Sequence, residues 1–213
     1  MNARLIVPLL LLLSLIALFV LVISFGLRFR KKSFQSALEL RAEDIWMSVQ
    51  DGRWNFSDLL YGILQDFSPT ELGLIVRDCR DQEVGRISFH AGARQAWITF
   101  TTVGESFQGD SLPTWRQTVA LRRSGDAGPV LCTFRRPAKG IFQIEVDGFG
   151  TIESKAPRGL QLAPRYEFAI DGKPIGISQH IGRSQNRGTW VVLPSSVPLP
   201  VRIFMLAIQR LRM

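Results

Sequence analysis

Two short basic segments contain the side chains best suited to recognise an anion. The candidate residues are Arg135, Arg136, Lys139, Arg183 and Arg187. The last two share a predicted polar loop with His180. Guanidinium and ammonium groups hold phosphate and carboxylate oxygens through charge-assisted hydrogen bonds. The predicted chemistry is therefore contact with an anion such as an anionic phospholipid headgroup, and the competing interpretation is an ordinary solvated hairpin tip.

The sequence contains few of the residues that catalytic and metal sites use. His90 and His180 are its two histidines, and neither belongs to a zinc-binding helix motif. The pair Gly148 and Gly150 lacks the third glycine of a dinucleotide fingerprint. The stretch 182–184 lacks the closing glycine of a hydrolase elbow. We predict no catalytic residue, no metal and no cofactor; a membrane-anchored enzyme of unknown class stays the alternative, because a catalytic triad is defined by geometry.

The N-terminal part of the chain has the composition of a membrane anchor. Residues 5–25 form 21 consecutive positions without a charged side chain. In a helix this length spans about 30 Å, the thickness of a bilayer's hydrocarbon core. A cleaved signal peptide has a shorter apolar core and a small-x-small cleavage site, so a retained single transmembrane helix is favoured. The anchor and its basic flank are assigned to residues 1–32.

The charges that flank this segment predict its orientation. The basic residues after it are Arg28, Arg30, Lys31 and Lys32. Arg4 is the single basic side chain before it. Because lysine and arginine near a membrane segment stay preferentially in the cytoplasm, this predicts a cytoplasmic C-terminal domain. The excess of arginine over lysine in the chain favours a bacterial source and hence a bacterial inner membrane. An envelope-assembly subunit with its domain outside the cytoplasm is the alternative.

The charge balance argues against a nucleic-acid partner. The whole chain has a formal net charge of +8, but residues 33–213 carry 21 basic against 18 acidic side chains. Most of the excess therefore belongs to the predicted anchor rather than to a basic surface. Cys79 and Cys132 are far apart in the sequence and are expected to stay reduced in the cytoplasm.

Residues 33–70 form an ambiguous segment that precedes the domain. The apolar spacing through Ile45 and Val49 favours an amphipathic helix, although a strand competes for its first part. Ser57 and Asp58 could cap a second short helix. We therefore describe 33–70 as helical or mixed.

Residues 71–213 have the texture of an antiparallel β domain. Short runs rich in valine, isoleucine, threonine and aromatic residues alternate with turn residues. The ten candidate strands are LGLIVRD, EVGRISFH, RQAWITFTT, TWRQTVALRR, PVLCTFRR, GIFQIEVD, GTIESK, YEFAID, IGISQHI and GTWVVLP. This many short strands in about 140 residues predicts a barrel or a sandwich.

The last apolar run predicts a buried helix. Pro198 and Pro200 fit the first turn of a helix. Ile203–Ile208 is apolar on every face, so it must be surrounded, and six residues are too few to cross a bilayer. A protein interior is therefore the predicted surround, with a final buried strand as the alternative.

The unit YEFAIDGKPIGIS, with Gly172 and Gly176, is followed by the closing apolar segment LPVRIFMLAIQ. Together these segments resemble the tubby C-terminal-like superfamily, which includes the LURP-one-related proteins and the phospholipid scramblases. The resemblance covers roughly residues 35–213. It implies a closed twelve-stranded antiparallel barrel around a buried C-terminal helix, no catalytic site, and association with membranes or phosphoinositides. The N-terminal anchor departs from the scramblases, whose hydrophobic segment is the C-terminal helix.

These observations predict a membrane-anchored, non-enzymatic binding or scaffold module. Its expected partners are the lipid bilayer and either anionic phospholipid or a membrane protein, with no nucleic acid.

Overall fold

The computed structural model describes most of the chain after residue 38. The described residues are 15, 18–20, 39–49, 52–67, 71–91, 96–102, 104–112, 118–124, 129–138, 141–155, 165–181 and 188–210. Their helices and strands are α1 (Ala42–Val49), a 3-10 helix (Phe56–Asp58), β1 (Leu59–Phe67), β2 (Glu71–Asp78), β3 (Glu83–Ala91), β4 (Ala96–Thr102), β5 (Glu105–Leu112), β6 (Val119–Arg123), β7 (Cys132–Ala138), β8 (Ile141–Val146), β9 (Gly150–Lys155), β10 (Arg165–Ile170), β11 (Lys173–Ile181), β12 (Gly188–Val192) and α2 (Leu199–Arg210).

The twelve strands form one closed antiparallel barrel. Each strand pairs with its neighbours in sequence, and β1 pairs with β12 to close the sheet. Closure leaves no unpaired strand edge that could recruit another chain. The prediction of an antiparallel barrel is confirmed.

The helix α2 occupies the interior of the barrel. From Val201 onward its apolar side chains are at most 3% exposed; they are Val201, Ile203, Phe204, Met205, Leu206, Ala207 and Ile208. They pack with inward side chains of the surrounding strands in one continuous core. The prediction that the apolar C-terminal run forms a helix buried in protein is confirmed.

Two glycines on inward strand faces lie next to α2. A Cβ atom at Gly109 would lie 3.6 Å from Phe204, and one at Gly85 would lie 3.3 Å from Ile203. The absence of a side chain at these positions lets the strands approach α2 closely.

The barrel has two distinct ends. We call the end where β12 finishes and α2 begins the lower end, and the opposite one the upper end. Because neighbouring strands are antiparallel, β1 starts at the lower end, and the β2–β3 and β10–β11 turns also lie there.

One side of the barrel is apolar on its outer face as well. This outer strip consists of Leu59, Tyr61, Ile63, Ile177, Ile181, Trp190 and Val192, none more than 8% exposed. The helix α1 covers the strip from outside with Ala42, Ile45 and Val49. A sheet buried on both faces shows near-continuous apolar runs rather than alternation.

The barrel begins earlier than the sequence indicated. The strand β1 (Leu59–Phe67) lies inside the segment 33–70 that we had assigned to the region before the barrel. Ser57 and Asp58 lie inside a single 3-10 turn that Asn55 caps, and β1 follows at Leu59, so the prediction that these two residues cap a second short helix is wrong. Both faces of β1 are buried, so its sequence lacks the alternation that marks a strand.

The predicted anchor lies almost entirely outside the described residues. Of residues 1–32 the structure describes 15 and 18–20, which are helical. Among the described residues, no helix combines the length and the apolar composition needed to cross a bilayer.

Candidate binding surface around the docked helix

The attachment of α1 to the barrel depends on the turn between β2 and β3, which we call the docking turn (residues 78–82). The side-chain oxygen Asp78 Oδ1 accepts hydrogen bonds from the backbone N–H groups of Arg80 and Gln82, at 2.9 and 3.0 Å. The N–H of Asp81 donates to the Asp78 carbonyl. Asp81 itself has a φ of 62°, a conformation that aspartate tolerates better than most residues. This local network fixes the direction of the Asp81 side chain.

The carboxylate of Asp81 binds both the helix and the barrel. Its Oδ1 accepts a hydrogen bond from the Ala42 N–H at 2.7 Å and another from the Tyr61 hydroxyl at 2.5 Å. Its Oδ2 lies 3.6 Å from Arg41 Nη1. The bond to Ala42 satisfies one of the free N–H groups at the start of α1 and places a negative charge there. One side chain therefore joins α1, β1 and the docking turn.

The proton affinities of Tyr61 and Asp81 reflect their burial and the hydrogen bonds around them. Burial raises the pKa of the Tyr61 phenol, and the adjacent Asp81 carboxylate raises it further. Burial by itself would raise the pKa of Asp81. The hydrogen bonds from Tyr61 and Ala42 and the charge of Arg41 outweigh it, so that pKa lies below its usual range. Near neutral pH the cluster therefore consists of a neutral phenol and an ionised carboxylate.

An aromatic group borders the docked helix. The rings of Trp46 and Phe56 lie 5.4 Å apart and are tilted by 60°. The Arg53 guanidinium lies 5.3 Å from the ring centre of Trp54, and it also pairs with Glu167 at 3.3 Å. These contacts extend the apolar cover of the outer strip towards the 3-10 helix.

A thiol and a buried cation lie at the lower end of β1. Cys79, in the docking turn, is half-buried and packs against the apolar cluster under α1. Arg202, in the first turn of α2, is 8% exposed, and its Nη2 donates to the Asp58 carbonyl at 2.5 Å. Among the described residues, the Nε of Arg202 has no hydrogen-bond partner.

A polar side chain of α2 is fixed to the inner face of the barrel, where Gln209 Nε2 donates to the Ser178 hydroxyl. A second polar pair joins β11 to β12, where His180 Nδ1 lies 3.1 Å from Thr189 Oγ1. His180 is in β11 and 5% exposed, so the sequence-based assignment to a polar loop is wrong for this residue. Buried hydrogen bonds of this kind favour one orientation of a helix among apolar neighbours.

The structure describes little of the predicted anion-contact residues. Arg135 lies in β7, is exposed, and has its Nη2 3.7 Å from Glu145 Oε2. The backbone of Arg136 is in the same strand, and its side chain lies outside the description. The other anion-contact candidates, Lys139, Arg183 and Arg187, lie outside the described residues. So do the four residues predicted to set the membrane orientation, which are Arg28, Arg30, Lys31 and Lys32.

The strands next to the two basic segments, residues 135–139 and 183–187, both finish at the upper end of the barrel. The strands β7 and β11 both run towards the upper end, where they finish at Ala138 and Ile181. Residues 139–140 and 182–187 are joined directly to these strand ends.

In the described part of the chain, no group of three or more His, Cys, Asp or Glu side chains is arranged to hold a metal ion. No family model, curated protein or solved structure matches the chain. A function for this surface must therefore be argued from its own residues.

Replacing Asp81 with alanine is expected to loosen α1 without unfolding the barrel. The change removes the acceptor of the hydrogen bond from the Ala42 N–H, which holds α1, and a hydrogen bond to a charged group contributes about 1.5–3 kcal/mol. Amide hydrogen exchange of Ala42–Val49 should accelerate about 10- to 100-fold, while exchange of α2 stays unchanged. Asp171→Ala is the matched control, because Asp171 also has a positive φ, 49°, and is exposed. Equal acceleration in both variants would contradict the role given to Asp81.

Protonation of the Asp81 carboxylate is expected to make the docking of α1 on the barrel depend on pH. Because the pKa of Asp81 is lower in the folded chain, its contribution to docking is complete above the ordinary aspartate range. The contribution is lost as the pH falls through the lowered folded value, where the carboxylate takes up a proton.

Proposed function

We propose that the protein is a membrane-anchored, non-enzymatic binding module whose barrel contacts anionic lipid with its upper end. The observation that supports this proposal is that the helix α2 occupies the interior of the barrel. The side chains Ile203–Ile208 fill the barrel and are at most 3% exposed. Within the described residues, the side chains of α2 occupy the place that a ligand takes inside ligand-carrying barrels. Recognition is therefore assigned to the outer surface and the ends.

Membership of the tubby C-terminal-like superfamily belongs to the same proposal. It is supported by the twelve-stranded closed barrel and by the helix inside it, which are what the sequence resemblance implies. The proposal does not depend on a particular ligand of that superfamily.

The membrane part of the proposal comes from the sequence. It is supported by the uncharged stretch 5–25 and by the four basic residues Arg28, Arg30, Lys31 and Lys32. Residues 26–38, if fully extended, reach at most about 45 Å. A nine-residue strand such as β1 is about 30 Å long. The chain is therefore long enough for the upper end to contact the membrane in which the anchor is held.

The lipid contact is assigned to the basic residues Arg136, Lys139, Arg183 and Arg187, with Arg135 in the adjoining strand. A basic side chain near an anionic membrane surface contributes about 1 kcal/mol of attraction. Pairing with Glu145 reduces the contribution of Arg135.

The test uses the full chain in nanodiscs of neutral lipid and in nanodiscs that also contain phosphatidylserine. We expect slower amide exchange of residues 182–187 with phosphatidylserine, by about 3- to 10-fold. The double variant Arg183→Gln, Arg187→Gln should lose this protection.

The control is the double variant Arg86→Gln, Arg123→Gln, which changes the net charge equally at the lower end. Both of its arginines are exposed and pair with Glu83 and Glu105. This variant should keep the protection. Identical exchange in the two kinds of nanodisc would exclude the lipid contact and would favour a membrane protein as partner.

A further inference from the structure

The helix α1 begins at the lower end of the barrel. The Ala42 N–H donates to Asp81 Oδ1 at 2.7 Å, and Asp81 lies in the docking turn between β2 and β3. Arg41, the residue before α1, has its Nη1 3.6 Å from Asp81 Oδ2. The chain that comes from the predicted anchor is therefore held at the end opposite the one where β7 and β11 finish.

The barrel closes without α1. Its twelve strands pair in one sheet to which α1 does not belong, and the core around α2 is separate from the apolar cluster under α1. The helix has eight residues and is attached by Asp81 and by the buried side chains Ala42, Ile45 and Val49. A helix this short depends on such contacts, and peripheral units open at lower free energy than a whole domain. The helix α1 can therefore detach while the strand pairs stay intact.

Release of α1 changes the length of chain that links the barrel to the predicted anchor. With α1 docked, the link consists of residues 26–38 and reaches at most about 45 Å. The next firm attachment is the 3-10 helix (Phe56–Asp58), where Arg202 Nη2 donates to the Asp58 carbonyl. The exposed pair of Arg53 with Glu167 lies in between and contributes little. With α1 released, the link consists of residues 26–55 and reaches at most about 100 Å.

The longer link makes it easier for the upper end to reach the membrane. Because the link starts at the lower end, it must extend along the barrel, whose strand β1 is about 30 Å long. This distance is about two thirds of the maximum reach when α1 is docked and about a third when α1 is released. A tether close to its full length has few conformations, so the effective concentration at its end is low. Docked α1 therefore opposes contact between the upper end and the membrane.

We propose that α1 is a releasable restraint that limits contact between the upper end of the barrel and anionic lipid. This inference rests on the proposed function, because it describes the regulation of the lipid contact assigned there. Coupling between two binding equilibria is reciprocal. Contact of the upper end with anionic lipid must therefore also weaken the docking of α1.

The first experiment measures amide exchange of α1 in nanodiscs that hold the full chain. Neutral nanodiscs are compared with nanodiscs that also contain phosphatidylserine, and exchange of residues 182–187 is followed in the same samples. We expect exchange of Ala42–Val49 to be about 5-fold faster with phosphatidylserine, a typical lower value for coupling between sites. Exchange of α2 should not change, because this helix stays inside the barrel.

Variants that release α1 test the same coupling in the other direction. Asp81→Ala removes the hydrogen-bond acceptor that holds α1, and Ile45→Ala removes a side chain that is 3% exposed beneath it. Both should increase the protection of residues 182–187 by phosphatidylserine about 5-fold. The matched controls are Asp171→Ala, which makes the same charge change in another turn of the lower end, and Met47→Ala on the exposed side of α1. Neither control should change the protection.

A longer link distinguishes the effect of tether length from a direct effect of lipid on α1. A Gly/Ser segment as long as residues 39–55 is inserted after Gln35, which alters neither α1 nor Asp81. The chain with docked α1 then has the reach of the released one. We expect protection of residues 182–187 to rise to the level of Asp81→Ala, and phosphatidylserine to accelerate the exchange of α1 no longer.

The outcomes separate this proposal from the proposed function. Absence of protection at residues 182–187 would exclude the lipid contact and the coupling with it. Protection there with unchanged exchange of α1 would overturn the restraint and leave the lipid contact intact. Coupling that persists in the insertion variant would overturn the role of link length. If Asp81→Ala does not fold, Ile45→Ala and the comparison of the two kinds of nanodisc decide the proposal.

Discussion

Replacing Phe204 with alanine is expected to lower the free energy of unfolding by about 3–5 kcal/mol, the range for buried phenylalanine. Phe204 is in the middle of α2 and is fully buried in the barrel. It faces Gly109, where no side chain is present to move into the space that alanine would leave. A closed sheet cannot collapse inwards without breaking strand pairs, so the cavity would persist. Urea unfolding of the full chain, followed by tryptophan fluorescence, measures the change.

The control for this prediction is Met47→Ala on α1. Met47 is a large apolar residue of a helix, but it is 78% exposed. Substitutions of such residues change stability by about 0.5 kcal/mol or less. A loss below about 1 kcal/mol for Phe204→Ala would show that the barrel does not depend on packing against α2.

Local patterns in the sequence were sufficient to predict most of the barrel. All ten candidate strands correspond to strands of the structure, from β2 to β12, with β5 as the one missing in between. Each contains β-branched or aromatic residues next to turn residues, and both signals are local. The buried position of α2 was also predictable, because Ile203–Ile208 has no polar face.

The two strands that were not predicted lack those signals for different reasons. The strand β1 is apolar on both faces, because α1 covers it outside, and this cover comes from another part of the chain. The strand β5 (Glu105–Leu112) is mostly polar, and among residues 105–109, whose burial is described, Phe107 and Gly109 are buried. Phe204 of α2 lies over Gly109, so the core at this point is completed by a residue 95 positions away. Local sequence patterns do not show which distant residues of the chain will bury a given strand.

The contacts that the docking turn makes with α1 and β1 could not be predicted from the sequence either. Asp81 could be predicted to lie in a turn, but its partners Ala42 and Tyr61 are 39 and 20 residues away. The same holds for Arg202, which meets the Asp58 carbonyl across 144 residues. Basic residues such as Arg183 are visible in the sequence as charges, whereas a carboxylate in a turn is common and indicates no partner.

Replacing Gly188 with alanine is expected to destabilise the barrel by about 2–6 kcal/mol. Gly188 is the first residue of β12, at the seam where β12 pairs with β1 and closes the sheet. Its φ is 153°, and a Cβ atom there would lie against the carbonyl oxygen of Gly62. A strained backbone contributes about 1–3 kcal/mol to the loss. The contact with a backbone atom that cannot move without breaking the seam contributes about 1–3 kcal/mol more.

Alanine variants of two other glycines measure the backbone strain and the contact at the seam separately. Gly104 has a φ of 82° with nothing within 4 Å of the added atom, so Gly104→Ala should cost the strain alone, about 1–3 kcal/mol. Gly52 has open space and no positive φ, so Gly52→Ala should change stability by about 0.5 kcal/mol or less. The excess of Gly188→Ala over Gly104→Ala measures the contact at the seam. If the two lose equal stability, the approach of β12 to β1 is looser than the structure shows, and closure of the barrel depends on the other strand pairs and on α2.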